Sequence, residues 1–151
     1  MTLIRKGEVV TADTWQSATD EGPLPEGPVV VDLERWQESR DELVRRNSPV
    51  GIRLDPPDDP SLLADDLDRI ELICLDFPSF ADGRAYSQAR LLRERWNYRG
   101  ELRATGDVLR DQFRFMRRCG FDAVETKKPA DADAWDQAMM EISVAYQGRS
   151  D

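Results

Sequence analysis

From residue 28 onward, short β-branched or apolar runs alternate with segments of helical periodicity. The predicted strands lie at 28–31, 50–54, 71–75, 100–104 and 121–125, and the predicted helices at 33–46, 59–69, 83–97, 107–119 and 133–147. Strands that alternate with helices through short connections form a parallel sheet of βαβ units. The predicted fold class is therefore α/β, either a half-barrel or an open doubly wound sheet, and periodicity does not distinguish these two layouts.

Several local signals set the ends of these helices. Asp32 and the pair Asp59-Pro60 are suited to helix starts, and Gly120 to a helix end. Leu109 and Met116 are predicted to face inward from the helix at 107–119. Six aromatic residues at helical spacing are predicted to lie in or near the core, and these are Tyr86, Trp96, Tyr98, Phe113, Phe115 and Phe121.

The 151 residues are expected to form one main domain. Residues 1–27 are interpreted as a leader with a short hairpin turning at Lys6-Gly7 and a surface loop, and residues 28–151 as a single α/β domain. No run of 18 apolar residues is present, and the first residues lack the apolar segment of a signal peptide. These observations predict a cytoplasmic protein without a membrane partner.

The chain contains no histidine. This excludes Ser-His-Asp and Cys-His catalysis and every site that needs a histidine ligand. Cys74 and Cys119 do not form a CxxC motif and are interpreted as reduced structural thiols. Neither GxGxxG nor GxxxxGKS spacing occurs, so nucleotide binding has no motif support. Together with the absence of histidine and of CxxC, this leads us to expect no bound cofactor and no metal.

Positive charge is concentrated in one stretch of an acidic protein. Residues 84–118 hold ten arginines and four acids, a net charge of +6, whereas the whole chain carries −9. Charge segregation of this kind bears on the choice of partner rather than on the fold.

One helix concentrates this charge on a single side. Arg110, Arg114, Arg117 and Arg118 follow helical spacing, and Arg90 and Arg93 lie on the preceding helix. Such a face is either solvated or a docking surface for an acidic protein. Nucleic acid is a poorer candidate, because a chain with a pI near 4.6 repels phosphate backbones elsewhere on its surface.

A second candidate site follows two predicted strands. In parallel sheets, ligands bind beyond the carboxyl ends of the strands. The loops there bring five residues to one predicted rim: Asp82, Arg84, Arg103, Asp107 and Arg110. Guanidinium groups beside free backbone N–H groups favour sulfate, phosphate or carboxylate. Alternatively, Asp82 and Asp107 only cap helices, and Arg84 and Arg110 only pair with acids.

Three segments carry a family resemblance: LDFPSFADGRAYSQARLLRERW, YRGELRATGDVLRDQ and FMRRCGFDA. They resemble a bacterial family of unknown function whose members are labelled as oxidoreductases involved in sulfite reduction. The resemblance extends more loosely through Trp15, residues 29–36, Gly51 and residues 145–147. It implies an accessory role beside the haem-containing sulfite reductase in sulfate assimilation, and it supplies no catalytic residue.

Three functional hypotheses follow. The first is an accessory protein that docks sulfite reductase, or an acidic electron carrier such as a ferredoxin, through the arginines of the helix at 107–119. The second is a small-molecule enzyme or anion-binding domain that holds sulfite, sulfate or a phosphorylated metabolite at the rim. The third is a structural half-barrel that works as a homodimer and pairs its open sheet edge.

Overall fold

The computed structural model describes residues 2–5, 8–10, 13–18, 22–79, 81–126, 134–135 and 137–138. Within them, eight strands form one sheet in the order β2-β1-β8-β7-β6-β5-β4-β3. Their bounds are β1 Thr2–Arg5, β2 Glu8–Val10, β3 Gln16–Ser17, β4 Val29–Asp32, β5 Val50–Leu54, β6 Leu72–Phe77, β7 Glu101–Gly106 and β8 Ala123–Thr126. All five predicted strands are thus present, and β6 and β7 each run two residues further than predicted.

The sheet is mostly parallel, and it curls into a half-barrel. Strands β3 to β8 pair with their neighbours in chain order and in parallel, whereas β1 adds to β8 in antiparallel orientation. Chain-order pairing places successive crossover helices on the same side of a sheet, because such crossovers share one handedness. The half-barrel alternative is therefore confirmed, and the doubly wound alternative is not.

The helices are shorter and more varied than predicted. They comprise α1 Leu33–Glu38, α2 Arg40–Arg45, a 3₁₀ helix Pro60–Arg69, α3 Arg84–Arg90 continuing as a π-helical turn Leu91–Arg95, a 3₁₀ turn Arg110–Gln112 and α4 Phe113–Cys119. The capping predictions hold at three places. Asp32 accepts a hydrogen bond from the Arg35 N–H, Asp59 accepts one from the Ser61 N–H, and Gly120 ends α4 at φ 110°.

The predicted helix at 107–119 begins later than expected. Strand β7 continues to Gly106, and the Asp107 N–H then donates to the Phe77 carbonyl in a 2.7 Å hydrogen bond. This bond extends the link between β6 and β7 beyond their last paired residues, so the first helical turn forms only at Arg110. Asp107 is therefore not the residue that precedes the helix, and the prediction of a helix start there is wrong.

The sheet has two different faces because successive side chains of a strand point in opposite directions. One face packs against the helices through Val31, Ile52, Leu75 and Ala104, and this contact forms the main hydrophobic core. On the other face, a second small cluster of Val30, Leu72 and Cys74 packs with Trp15 and includes no helical residue. We call this second side of the sheet the helix-free face.

The leader contributes strands to the same sheet. Strands β1 and β2 form the predicted hairpin, pairing Arg5 with Glu8, while Lys6 and Gly7 lie outside the described residues. Strand β3 pairs with β4 at the opposite edge. Of the last predicted helix, residues 134–135 and 137–138 are helical and Trp135 is fully buried, and the rest lies outside the described residues.

Two predicted core residues are at the surface instead. Phe115 retains 42% of its side-chain exposure and Leu109 retains 38%. In α4 the buried positions are Phe113, Met116 and Cys119, a spacing of three that leaves Phe115 on the outer side. Leu109 precedes the first helical turn, so the helical periodicity that predicted an inward-facing side chain does not apply to it.

Candidate functional site

Three of the four predicted docking arginines line one open cavity. Arg110, Arg114 and Arg118 surround a depression of about 450 Å³, which is also lined by Asp111, Phe113, Phe115, Ala134, Gln137 and Ala138. They meet because α4 buries Phe113 and Met116, which leaves positions 114 and 118 outward, one helical turn apart. Arg117 is half-buried and does not line this cavity.

An exposed aromatic ring lies beside these arginines. The Phe115 ring makes an edge contact with Tyr86 at 4.7 Å between ring centroids, and the Arg90 guanidinium lies 5.5 Å from the Phe115 centroid. Helices α3 and α4 therefore contribute to one continuous patch. We call Arg90, Arg110, Arg114, Phe115 and Arg118 the basic surface.

The basic surface keeps much of its positive charge. Within the described part of the chain, neither Arg110 nor Arg118 forms an ion pair. Asp111 is the acid that lines the cavity with them. Exposed arginines around an aromatic ring are typical of protein interfaces, where Arg and aromatic residues are enriched.

Arg93, predicted beside Arg90, has a structural role instead. Its guanidinium donates to the carbonyls of Tyr98, Gly100 and Gly120 and forms a 2.6 Å ion pair with Asp122. These bonds join the π-helical turn to the segment between α4 and β8. Arg93 therefore does not belong to the basic surface.

The five residues predicted at one rim are divided among four places. Asp82 and Arg84 form a 2.7 Å ion pair with each other in the loop before α3, and this hydrogen bond from Arg84 lowers the pKa of the Asp82 carboxyl. Arg110 lies at the basic surface, and Asp107 begins the loop after β7. Arg103 lies in the middle of β7 on the helix-free face, because its neighbours Leu102 and Ala104 face the helix-packed core.

Arg103 is the centre of an ionic network that sequence reasoning missed. Its side chain is only 2% exposed, and it pairs with Glu101 at 2.9 Å and with Asp13 and Glu125 at 3.2 Å each. Glu101 also contacts Arg5 at 2.6 Å. Burial alone would lower the pKa of Arg103, but the electrostatic attraction of Cys74, Glu101 and Asp13 outweighs burial and the pKa is raised.

The helix-free face also contains a smaller cavity of about 270 Å³. Its lining comes from strands β3 to β8 and the segment before β3: Asp13, Trp15, Ser17, Val30, Arg53, Cys74, Asp76, Arg103, Thr105, Gly106 and Glu125. Burial raises the pKa of the Cys74 thiol to about 12. This thiol is therefore protonated at neutral pH, which does not suit a nucleophile or a metal ligand.

Two further features restrict what the described residues do. They contain no cluster of three or more Asp, Glu or Cys side chains arranged to hold a metal ion. Among the same residues, no helix has the length and apolar character needed to cross a membrane.

The fold and these surfaces define an α/β half-barrel protein with one basic and one mixed-charge face. The chain belongs to the family described as "Bacterial protein of unknown function (DUF934)", whose defining pattern matches residues 51–151. No curated protein matches the chain.

Proposed function

We propose that this protein is an accessory protein of assimilatory sulfite reduction. It docks sulfite reductase, or an acidic electron carrier such as a ferredoxin, through the basic surface. The convergence of Arg110, Arg114 and Arg118 around one cavity beside the exposed Phe115 supports docking. The link to sulfite reduction comes from the family resemblance of residues 75–123.

The electrostatics of the basic surface suit a transient partner. Complementary charge raises association rates from about 10⁵–10⁶ M⁻¹s⁻¹ towards 10⁸ M⁻¹s⁻¹ or more at low salt. The chain carries a net charge of −9, so a locally positive patch also orients the encounter with an acidic protein. Docking through this patch therefore weakens as salt rises.

Phe115 supplies the apolar part of the proposed contact. Its ring contacts Tyr86 edge-on and lies beside the Arg90 guanidinium, and these contacts favour one orientation of the ring. Aromatic residues in such positions commonly carry a large share of binding energy. In this proposal the partner performs the redox chemistry, and the half-barrel positions the partner.

A pull-down from host lysate tests the proposal. The bait is the wild type beside the triple variant Arg110→Glu/Arg114→Glu/Arg118→Glu. A matched control variant, Arg45→Glu/Arg69→Glu/Arg99→Glu, changes the net charge by the same amount as the triple variant. Its three arginines are exposed and do not line the cavity of the basic surface. Recovered proteins are identified by mass spectrometry at low and at high salt.

The proposal predicts recovery of sulfite reductase or of a ferredoxin at low salt by the wild type and by the control variant. Recovery falls at high salt and is absent with the basic-surface variant. Recovery that is equal for all three baits, or the absence of both proteins from every eluate, contradicts the proposal.

A further inference from the structure

The cavity on the helix-free face has the position and size of a small-ligand site. It lies towards the carboxyl ends of β5, β6 and β7, where parallel α/β sheets bind ligands. At about 270 Å³ it is just below the range of ordinary ligand pockets, about 300–1,000 Å³, and is too small for a nucleotide or a flavin. Its occupant must therefore be a small molecule.

Most of the charge near this cavity is already paired. Arg103 uses its guanidinium on Glu101, Asp13 and Glu125, as described above. Arg103, Asp13 and Glu125 line the cavity, and because they are bonded within this network they have little capacity left to bind a ligand. The charged side chains that lack a close ion-pair partner therefore determine which ligand the cavity binds.

Arg53 is the first such group. Its only ion pair in the described part of the chain is a loose one, with 3.6 Å between Nε and the Asp55 carboxylate. It donates no hydrogen bond to another described residue, although its side chain lines the cavity and is 43% exposed. Its terminal N–H groups are therefore available to a carboxylate or a similar planar anion.

Asp76 is the second group and has the opposite charge. Its carboxylate accepts a 3.2 Å hydrogen bond from the Thr105 hydroxyl, and it forms no ion pair with a described residue. A half-buried carboxylate without a cation is suited to an ammonium group from a ligand.

The spacing of these two groups limits the ligand further. Arg53 is paired with Cys74 in the β5–β6 register, and Asp76 follows Cys74 by two residues on the same face. Strand spacing and rise per residue place the Cα atoms of Arg53 and Asp76 roughly 8 Å apart. Trp15, which packs over Gly51, provides an apolar wall beside them.

We propose that this cavity binds a small zwitterion of the amino-acid class. The ligand's ammonium group contacts Asp76, its carboxylate contacts Arg53, and its remaining atoms lie against Trp15. The site is on the helix-free face and is separate from the basic surface. Its success or failure is therefore independent of the docking proposal.

Isothermal titration calorimetry with each of the twenty proteinogenic amino acids tests the proposal. For every amino acid that binds, the analogue without the amino group and the analogue without the carboxylate are titrated into the same wild-type protein. The variants Asp76→Asn and Arg53→Gln each remove one charge at the site, and Arg84→Gln is the control for an arginine elsewhere.

We expect at least one amino acid to bind with a Kd below about 1 mM. Each analogue and each site variant should bind at least tenfold more weakly, and Arg84→Gln should bind as the wild type does. No heat from any amino acid overturns the proposal. The proposal is also overturned if both analogues bind as tightly as the amino acid itself. That comparison uses only the wild-type protein and is therefore unaffected by any loss of folding in Asp76→Asn or Arg53→Gln.

Discussion

The ionic network around Arg103 gives a quantitative prediction about stability. The variant Arg103→Met keeps most of the side-chain length and removes the charge. It leaves Glu101, Asp13 and Glu125 facing one another on the helix-free face without the guanidinium that now lies between them. Like charges brought together and partly buried destabilise the folded state.

The structure sets the size of the effect. Removing one partner of a buried ion pair costs about 3–5 kcal/mol. The three carboxylate side chains retain 18–34% exposure and Arg5 still contacts Glu101, which favours the lower end of that range. A loss of roughly 3 kcal/mol in a protein of this size lowers the Tm by about 6–12 °C.

Thermal unfolding of wild type and Arg103→Met, followed by circular dichroism at pH 7, measures this difference in Tm. The variant Arg103→Lys keeps the positive charge but lacks the forked guanidinium, so its Tm should lie between those of the wild type and Arg103→Met.

Arg110→Met is the matched control, because Arg110 is exposed and forms no ion pair with a described residue. Its free energy of unfolding should stay within about 0.5 kcal/mol of the wild type. A loss of less than about 1 kcal/mol in Arg103→Met would refute the argument that Arg103 neutralises three carboxylates.

Two further predictions concern the same sheet. Gly106 has φ +89°, and a Cβ there would collide with the Phe77 carbonyl. The variant Gly106→Ala should therefore lower the free energy of unfolding, measured by urea titration, by at least about 1–2 kcal/mol. The control variant Gly22→Ala, at a glycine with open space around it, should change this free energy little. The pKa of Cys74, raised to about 12 by burial, implies that iodoacetamide leaves Cys74 unmodified in the folded protein at pH 8 and modifies it in urea. Peptide mass mapping checks the second prediction, and rapid labelling of folded Cys74 would contradict it.

Much of the fold could be predicted from sequence because its signals are local. The strand at 50–54 was predicted with its observed bounds, and the Asp32, Asp59 and Gly120 caps depend on contacts within a few residues. The choice between a half-barrel and a doubly wound sheet depends on strand order. That order is a non-local property, so periodicity did not resolve it.

The basic surface could be predicted from local spacing, whereas Arg103 was predicted at the wrong position. Helical spacing alone brought Arg110, Arg114 and Arg118 together. Arg103 was predicted next to the end of a strand at 100–104 and therefore at the rim, but β7 continues to Gly106 and places Arg103 in the middle of the strand. The alternation of Glu101, Arg103 and Thr105 with Leu102 and Ala104 was the signal that would have placed it on the helix-free face.

The helix-free cavity was missed because its groups come from distant parts of the chain. Asp13 and Trp15 come from the leader, Arg53 from β5 and Asp76 from β6. No spacing within a single segment joins these positions, and only the sheet register places them side by side. Such a site requires the strand order before any of its members can be recognised.

Equilibrium binding of the purified proteins tests the docking proposal most directly. Sulfite reductase and ferredoxin from a bacterium that encodes this protein are titrated separately by biolayer interferometry. We expect one of them to bind, and its Kd to weaken at least tenfold between about 50 and 500 mM NaCl. We also expect loss of binding in Arg110→Glu/Arg114→Glu/Arg118→Glu and retention in the control variant. Absence of binding to both proteins at low salt, or equal affinity of the two variants, would contradict the proposal.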